Sequence, residues 1–374
     1  MAPESTGSYQ IEAVARACRI IRVLRDRGSY SLSQLAEAVS LSRPTVFRLL
    51  STLQANGLIS RDGQRQYRLA DGFLSGRRFR IGYLAETSST SFYRAVSKGL
   101  LDSAEQSGID LTVMDCLDSP EIALYNAEKL LAENVDLVIQ FLSYSHVASM
   151  IASLTRERKV PLIAIEMPTP DAIYFGVDNC QAGLTAGRYL ARWAERNWKG
   201  KVDEILLVGA KDAGYLPEAR LTGSLLGIHE VLPNATAARV VQLDGKWNQE
   251  ASRDAVERHL RRSTAKRILV SAIFDPSAVG ALDAFKHLQR QHECAIVGQN
   301  GTVEARLALR SSKSRLIGTV AYFPERYGEQ LINLALGVLG HLTPAPRAVF
   351  VKHQFLTASN LMQFYSREVR RGGM

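Results

Sequence analysis

Arginine is concentrated at the start of this 374-residue chain. Residues 1–80 hold thirteen Arg and no Lys against six acidic residues, a surplus of seven within a net charge of +9. The guanidinium stays charged and grips planar anions through paired N–H donors, so the excess suits a polyanion. The densest arrangement is LSRPTVFRLLSTLQANGLI, residues 41–59. Ser42, Arg43, Thr45 and Arg48 put hydroxyl and guanidinium donors near a helix start, and Phe47 and Ser51 also point away from its apolar stripe. Arg61, Arg65 and Arg68 follow in SRDGQRQYR, where they can reach a flanking phosphate backbone or a minor groove.

Other chemistries find little support. There is no GxSxG elbow, no HExxH, no GxxxxGK[ST] phosphate loop and no GxGxxG after a strand. The seven His (146, 229, 259, 287, 292, 341, 353) are dispersed and read as surface residues. Glu166 and Asp275 form the single candidate carboxylate couple, better used to accept hydroxyls than to cleave a glycoside. We therefore expect no enzyme, no metal and no cofactor. Cys18, Cys116, Cys180 and Cys294 lack CxxC or metal spacing and read as reduced, mostly buried thiols. No apolar run reaches eighteen residues, and MAPESTGSYQIEAVARACRIIRVL lacks the pattern of a secretory leader. A cytoplasmic protein without a membrane span is expected.

The elements that must hold the arginines can be read locally. IEAVARACRIIRVLRDRG places Ile11, Val14, Cys18, Ile21 and Leu24 on one helical stripe and stops at Gly28. SLSQLAEAVS opens with Ser31 and Gln34 at capping-box spacing and buries Leu32, Leu35 and Val39. The third helix starts at Ser42, has Pro44 in its first turn, buries Val46, Leu49, Leu50 and Leu53, and ends at Asn56-Gly57. LISRDGQRQYRL alternates around Asp62-Gly63, a hairpin signal. Two helices, a tight turn, a third helix and a two-stranded wing form a winged helix-turn-helix, whose third helix enters a major groove about 12 Å wide.

This block resembles the IclR-type winged helix-turn-helix over about sixty-five residues, through SLSQLAEAVSLSRPTVFRLLSTLQANGLI and YRLADGFL. Pro44 and Phe47 depart from the pattern of that family's recognition helix. The resemblance implies operator DNA as a partner.

DGFLSGRRFR (71–80) reads as a linker, and beyond it apolar strands alternate with amphipathic helices. FRIGYLAE, IDLTVMDC, VDLVIQFLS, PLIAIEM and AIYFGVDN form one series. DEILLVGA, ARVVQLDG, RILVSAIFD, CAIVGQNG and RLIGTVA form another. Such alternation implies two doubly wound parallel sheets, two lobes with a cleft, and ligand residues just past the strand ends. Asp178 and Asn179 fall there too, but read as strand-end and cap residues.

Residues 80–365 resemble the periplasmic-binding-protein-like sugar-binding domain of LacI-type repressors and ribose-binding proteins, and VFVKHQFLTASNL resembles that family's last strand. By that resemblance Phe92 and Tyr93 are the aromatic pair after the first strand, beside Thr90. Glu166 is the clamp carboxylate and Arg220 the ligand arginine before a helix glycine. The resemblance carries further ligand roles to Phe274 and Asp275, Asn300 and Tyr322. Met167, Phe274, Asn300 and Tyr322 replace polar or acidic groups of the family pattern, which implies a carbohydrate or polyol ligand but not ribose specifically.

The expected organisation is a DNA-binding domain at 1–70, a linker at 71–79, a sensor at 80–366 and a basic tail at 367–374. The expected function is a ligand-responsive, homodimeric transcription regulator, with repression relieved by the effector as the first reading and activation as the other. A solute-binding protein for transport or chemoreception, and a carbohydrate-active enzyme, are the alternatives.

Overall fold

A computed structural model describes residues 12–70, 78–87, 90–211, 214–311, 313–340 and 345–366. Most of the expected linker and all of the expected basic tail lie outside these residues, as does Ile11.

The head comprises α1 (Glu12–Arg27), α2 (Leu32–Ala38), α3 (Arg43–Ala55) and an antiparallel pair, β1 (Ile59–Arg61) and β2 (Tyr67–Leu69). Its helix starts are set by local chemistry. Ser31 and Gln34 close a capping box, and Ser42 caps α3 with Pro44 in the first turn. The core gathers Ile20, Leu24, Leu35, Val46, Leu50, Ile59 and Leu69. The stripe expected on α1 is corrected here: Val14 is 55% exposed and Cys18 is exposed, while Ile20 and Leu24 are buried. Only the second half of α1 lies over the small head core, so among the described residues its first turns have no core to bury against. The hairpin also differs from a two-residue Asp-Gly turn. Its loop runs from Asp62 to Gln66, whose ends share a backbone bond, and Arg65 rather than Gly63 takes the left-handed conformation, at φ 64°.

Beyond the head the chain forms two six-stranded sheets. The first contains β3 (Arg80–Ala85), β4 (Asp110–Asp115), β5 (Leu137–Phe141), β6 (Leu162–Ile165), β7 (Ile173–Val177) and, late in the chain, β13 (Ala348–Val351). Their spatial order is β13-β7-β6-β5-β3-β4. The second contains β8 (Glu204–Gly209), β9 (Arg239–Asp244), β10 (Ile268–Ala272), β11 (Cys294–Asn300), β12 (Leu316–Ala321) and β14 (Gln354–Leu356), in the order β14-β12-β11-β10-β8-β9. The two orders are equivalent, and β3–β7 and β8–β12 pair in parallel. Helices connect the strands: α4 (Ser91–Gln106), α5 (Pro120–Ala132), α6 (Ser145–Glu157), α7 (Asn179–Trp198), α8 (Tyr215–Val231), α9 (Gln249–Leu260), α10 (Asp275–His287), α11 (Val303–Leu309) and α12 (Tyr327–Leu339). A short α13 (Leu361–Phe364) follows β14.

Two expectations change. The single last strand is two short strands, one on each sheet, interrupted at Lys352-His353. Nor are all strands apolar throughout. β4 and β9 are sheet rims, with exposed residues at several positions.

The chain divides into two compact units. One holds the head with the first sheet: Met1–Ser88, Val96–Phe175 and Glu325–Val349. The other holds Ser89–Ala95, Gly176–Pro324 and Phe350–Met374. Within the second unit, α7 and α8 meet along glycine. A Cβ on Gly183 would strike Arg220 O, one on Gly187 Ser224 O, one on Gly223 Cys180 O, and one on Gly227 Leu184 O. The two backbones therefore touch directly, which fixes the axial offset between Asn179 on one helix and Arg220 on the other.

Candidate functional site

The first candidate surface is the N-terminal half of α3. Arg43, Pro44, Phe47 and Arg48 are exposed, opposite the buried Val46, Leu50 and Leu53. Ser42 and Thr45 are placed differently from the free donors expected. Ser42 Oγ accepts from Thr45 N and pairs with Thr45 Oγ1 at 2.8 Å, so one of the two hydroxyls donates within the cap and the other keeps its proton for a partner. Ser51 Oγ donates to Phe47 O at 2.9 Å, and Ser51 lines a cavity of about 420 Å³ between the last turn of α3 and α12. On the wing, Arg61 lies 5.2 Å from the Tyr67 ring centroid, and Arg68 Nε donates to Ser60 Oγ at 3.2 Å. Arg65 stands exposed at the loop, where Asp62 Oδ1 accepts from Gln64 N and Gln66 N. The arrangement offers guanidiniums in the first turns of one helix, at its positive end, and on a two-stranded ribbon that follows it.

The second candidate site is centred on Arg220, 8% exposed, at the carboxyl ends of the second sheet. Its Nε donates to Asn179 Oδ1 at 2.6 Å, and Nη1 donates to Ile273 O and Asn300 Oδ1, both at 3.2 Å. The guanidinium carbon lies 5.0 Å from the Tyr322 ring centroid, and Tyr322 OH donates to Gln299 Oε1 at 2.6 Å. Asn300 and Gly301 adopt positive φ, 105° and 70°, turning the chain so that the Asn300 amide reaches Arg220. Arg220, Asn300 and Tyr322 are thus brought together as expected positions. Phe274 is half-buried and tilted against Trp247 at 5.5 Å between centroids.

Two members of this group were not among the expected residues. Asn179 is a buried acceptor for Arg220, whereas its neighbour Asp178 caps α7 through Gln181 N. Trp247 is 41% exposed after β9, in a left-handed run with Lys246. The readable signal was an aromatic shortly past a strand end, in LDGKW.

Asp275 corrects an expectation. It is 0% exposed, with Oδ2 accepting from Thr302 N and Oδ1 from Thr319 Oγ1, both at 2.6 Å. Burial pushes its carboxyl up to about 7. It presents no surface to a ligand; it clasps the start of α10 to the turn that carries Asn300. Arg306 supports the same turn by donating to Gly301 O, while its guanidinium lies 3.9 Å from the Tyr365 ring centroid.

Glu166 lies in the first unit at φ 58°, and one carboxylate oxygen accepts from Tyr327 OH at 2.6 Å. The 89–95 segment groups with the second unit. There Thr90 Oγ1 accepts from Tyr93 N, and Phe92 and Tyr93 are half-buried. The thiols divide evenly, Cys116 and Cys294 buried and Cys18 and Cys180 exposed, fewer buried than expected. Nor are all His on the surface: His259 is nearly buried, its Nε2 2.8 Å from Glu204 Oε2. Among the described residues no group of three His, Cys, Asp or Glu is placed to hold a metal, and no helix is long and apolar enough to cross a membrane.

Comparison with known proteins matches both regions. Residues 13–63 match the IclR helix-turn-helix domain, and residues 81–342 match the periplasmic binding protein domain. An HTH-type transcriptional regulator of Mycobacterium tuberculosis is 30% identical over 118 residues, 31% of this chain and 45% of that protein. The chain thus spans under half the length of that relative. Among solved structures, a periplasmic solute-binding protein of an Actinobacillus succinogenes ABC transporter, with bound D-allose, superposes at TM-score 0.67 and 19% identity, covering 77% of this chain and all of that one. A solute-binding protein of Bacillus halodurans with bound myo-inositol gives TM-score 0.67 and 17% identity over 77% of this chain and 98% of its own. These likenesses establish the fold.

Proposed function

Because the chain belongs to the periplasmic binding protein domain family and carries an IclR helix-turn-helix domain ahead of that domain, we propose that it is a transcription regulator whose hold on operator DNA responds to a sugar- or polyol-like effector. One observation carries the reading: an arginine-bearing recognition helix and a buried arginine site share one chain. Arg43, Phe47 and Arg48 take the major groove, and Arg61, Arg65 and Arg68 take the flanking backbone. Arg220 and Asn300 meet the effector's hydroxyls, Tyr322, 2% exposed with its OH on Gln299, backs the Arg220 guanidinium, and Phe274 with Trp247 covers the effector's apolar face. D-Allose and myo-inositol, held by the structural relatives, define the class to screen first.

The effector acts only if it binds two arrangements of the chain with unequal affinity. The regulator works in the cytoplasm as a homodimer, its two recognition helices meeting half-sites about one helical turn apart. The expected sign is repression relieved by effector. A transport role leaves the arginine-rich head without a purpose, and a catalytic role lacks a recognisable motif in the sequence.

The test pairs thermal shift with DNA anisotropy on sequences selected from random duplexes. A sugar or polyol at one hundred times its Kd should add about 2.7 kcal/mol of stability and change DNA affinity. Arg220→Ala should lose both responses and keep DNA binding. Arg48→Ala should weaken DNA binding about tenfold and keep the thermal shift. Sugar binding with no effect on DNA affinity would refute the regulator.

A further inference from the structure

Phe47 is an exposed ring in an otherwise cationic surface. It is 51% exposed, one turn into α3, and its neighbours on adjacent turns are Arg43 and Ser51. At about 100° per residue, Arg48 and Pro44 stand opposite the buried stripe and Phe47 stands beside them. The small polar groups of this face are already partly engaged. Ser51 Oγ donates to the carbonyl of Phe47 itself, Ser42 and Thr45 pair through their hydroxyls, and Pro44 has no N–H. Beside these partly engaged hydroxyls, α3 offers outward two guanidiniums and one apolar ring.

That restricted set has a direct meaning against the edges of base pairs. Arginine pairs with guanine or with phosphate, neither of which needs an exposed phenyl. The C5-methyl of thymine is the one apolar group that the major groove displays. Keeping a ring in water has no return in the free chain, whereas covering a methyl with it removes apolar surface from water on both sides. The thirteen arginines of residues 1–80 supply the charge that brings this face to DNA.

We propose that Phe47 selects operators by covering a thymine methyl, next to the base or phosphate that Arg48 takes. The inference rests on the DNA-binding reading above and deepens it by naming a base.

The test uses the full chain and duplexes enriched from a random library. Each thymine of the enriched half-site is replaced in turn by uracil, which keeps the pairing edge and deletes the methyl. At one position uracil should weaken wild-type binding about fourfold, the worth of one buried methyl. Phe47→Ala should bind thymine and uracil duplexes equally, at the wild type's uracil affinity, and Phe47→Leu should restore part of the preference. If no thymine shows a methyl effect, or if Phe47→Ala keeps the wild-type ratio, the inference falls and DNA binding stands. If the wild type enriches no sequence, the DNA-binding reading falls and takes this inference with it.

Discussion

The head and the Arg220 site solve the same problem, holding side chains in fixed places, over very different distances along the chain. In the head, Ser31 meets Gln34 and Ser42 meets Thr45, each three residues away. In the second unit, Thr302 reaches Asp275 across 27 residues, Arg220 reaches Asn179 across 41, and Arg220 reaches Asn300 across 80. The arginines follow the same division. Arg43 and Arg48 are exposed to solvent, whereas Arg220 is already gripped on several sides. A site for a macromolecule can be built from local pieces. A site that encloses something small needs walls from distant parts of the chain.

Breaking the long-range arrangement should have the largest effect. Gly187→Leu forces a side chain into Ser224 O and parts α7 from α8. Overpacking typically costs about 1–3 kcal/mol, and a whole isobutyl group against backbone falls at the upper end. Chemical denaturation should show the second unit lost first, and effector response should vanish while the head keeps its helical signal. Preserved stability would mean that the seam is looser than described.

A titration sharpens the comparison next. Burial raises the Asp275 carboxyl to about 7, so its contribution is full below the unfolded carboxylate range and lost as pH rises through 7. Asp203 has the opposite sign: the Arg267 guanidinium bonded to it lowers its carboxyl, so its contribution is present above the ordinary range and lost as pH falls below it. The second unit should therefore gain stability from pH 8 to pH 5 and lose it in stronger acid. Asp275→Asn should flatten the first limb, measured by urea unfolding at each pH; an unchanged slope would place the responsible group elsewhere.

The smallest effect belongs to the head. Ser31→Ala removes the capping box of α2 and should cost about 1 kcal/mol, read as a lower melting point of the unit that holds the head and the first sheet. An equal fall in the second unit would show that the two regions do not melt separately.

The same division explains what could be read in the residues beforehand. Helix starts at Ser31 and Ser42, the stop at Asn56-Gly57 and the alternation of strands with helices act over a few residues, and their signals sit side by side in the chain. The grouping of Arg220 with Asn300 and Tyr322 came from a resemblance, not from any local pattern. The depth of Asp275 was invisible because Thr302 and Thr319 bury it from other strand ends. Trp247 was missed because its position depends on two non-glycine residues in the left-handed region, which residue preference argues against. Val14 and Cys18 depart from the expected stripe for a simpler reason: spacing marks a stripe, but not how far the neighbouring core extends.

The open rims of the two sheets are not equally safe. Antiparallel self-pairing along β4 would bring Asp110 of one molecule against Asp115 of another, a like-charge meeting that discourages stacking. The same pairing along β9 would set Arg239 against Asp244, opposite charges that welcome it. In concentrated stocks of this protein, β9 is the edge along which two copies would pair, closing a two-fold dimer rather than growing a fibre.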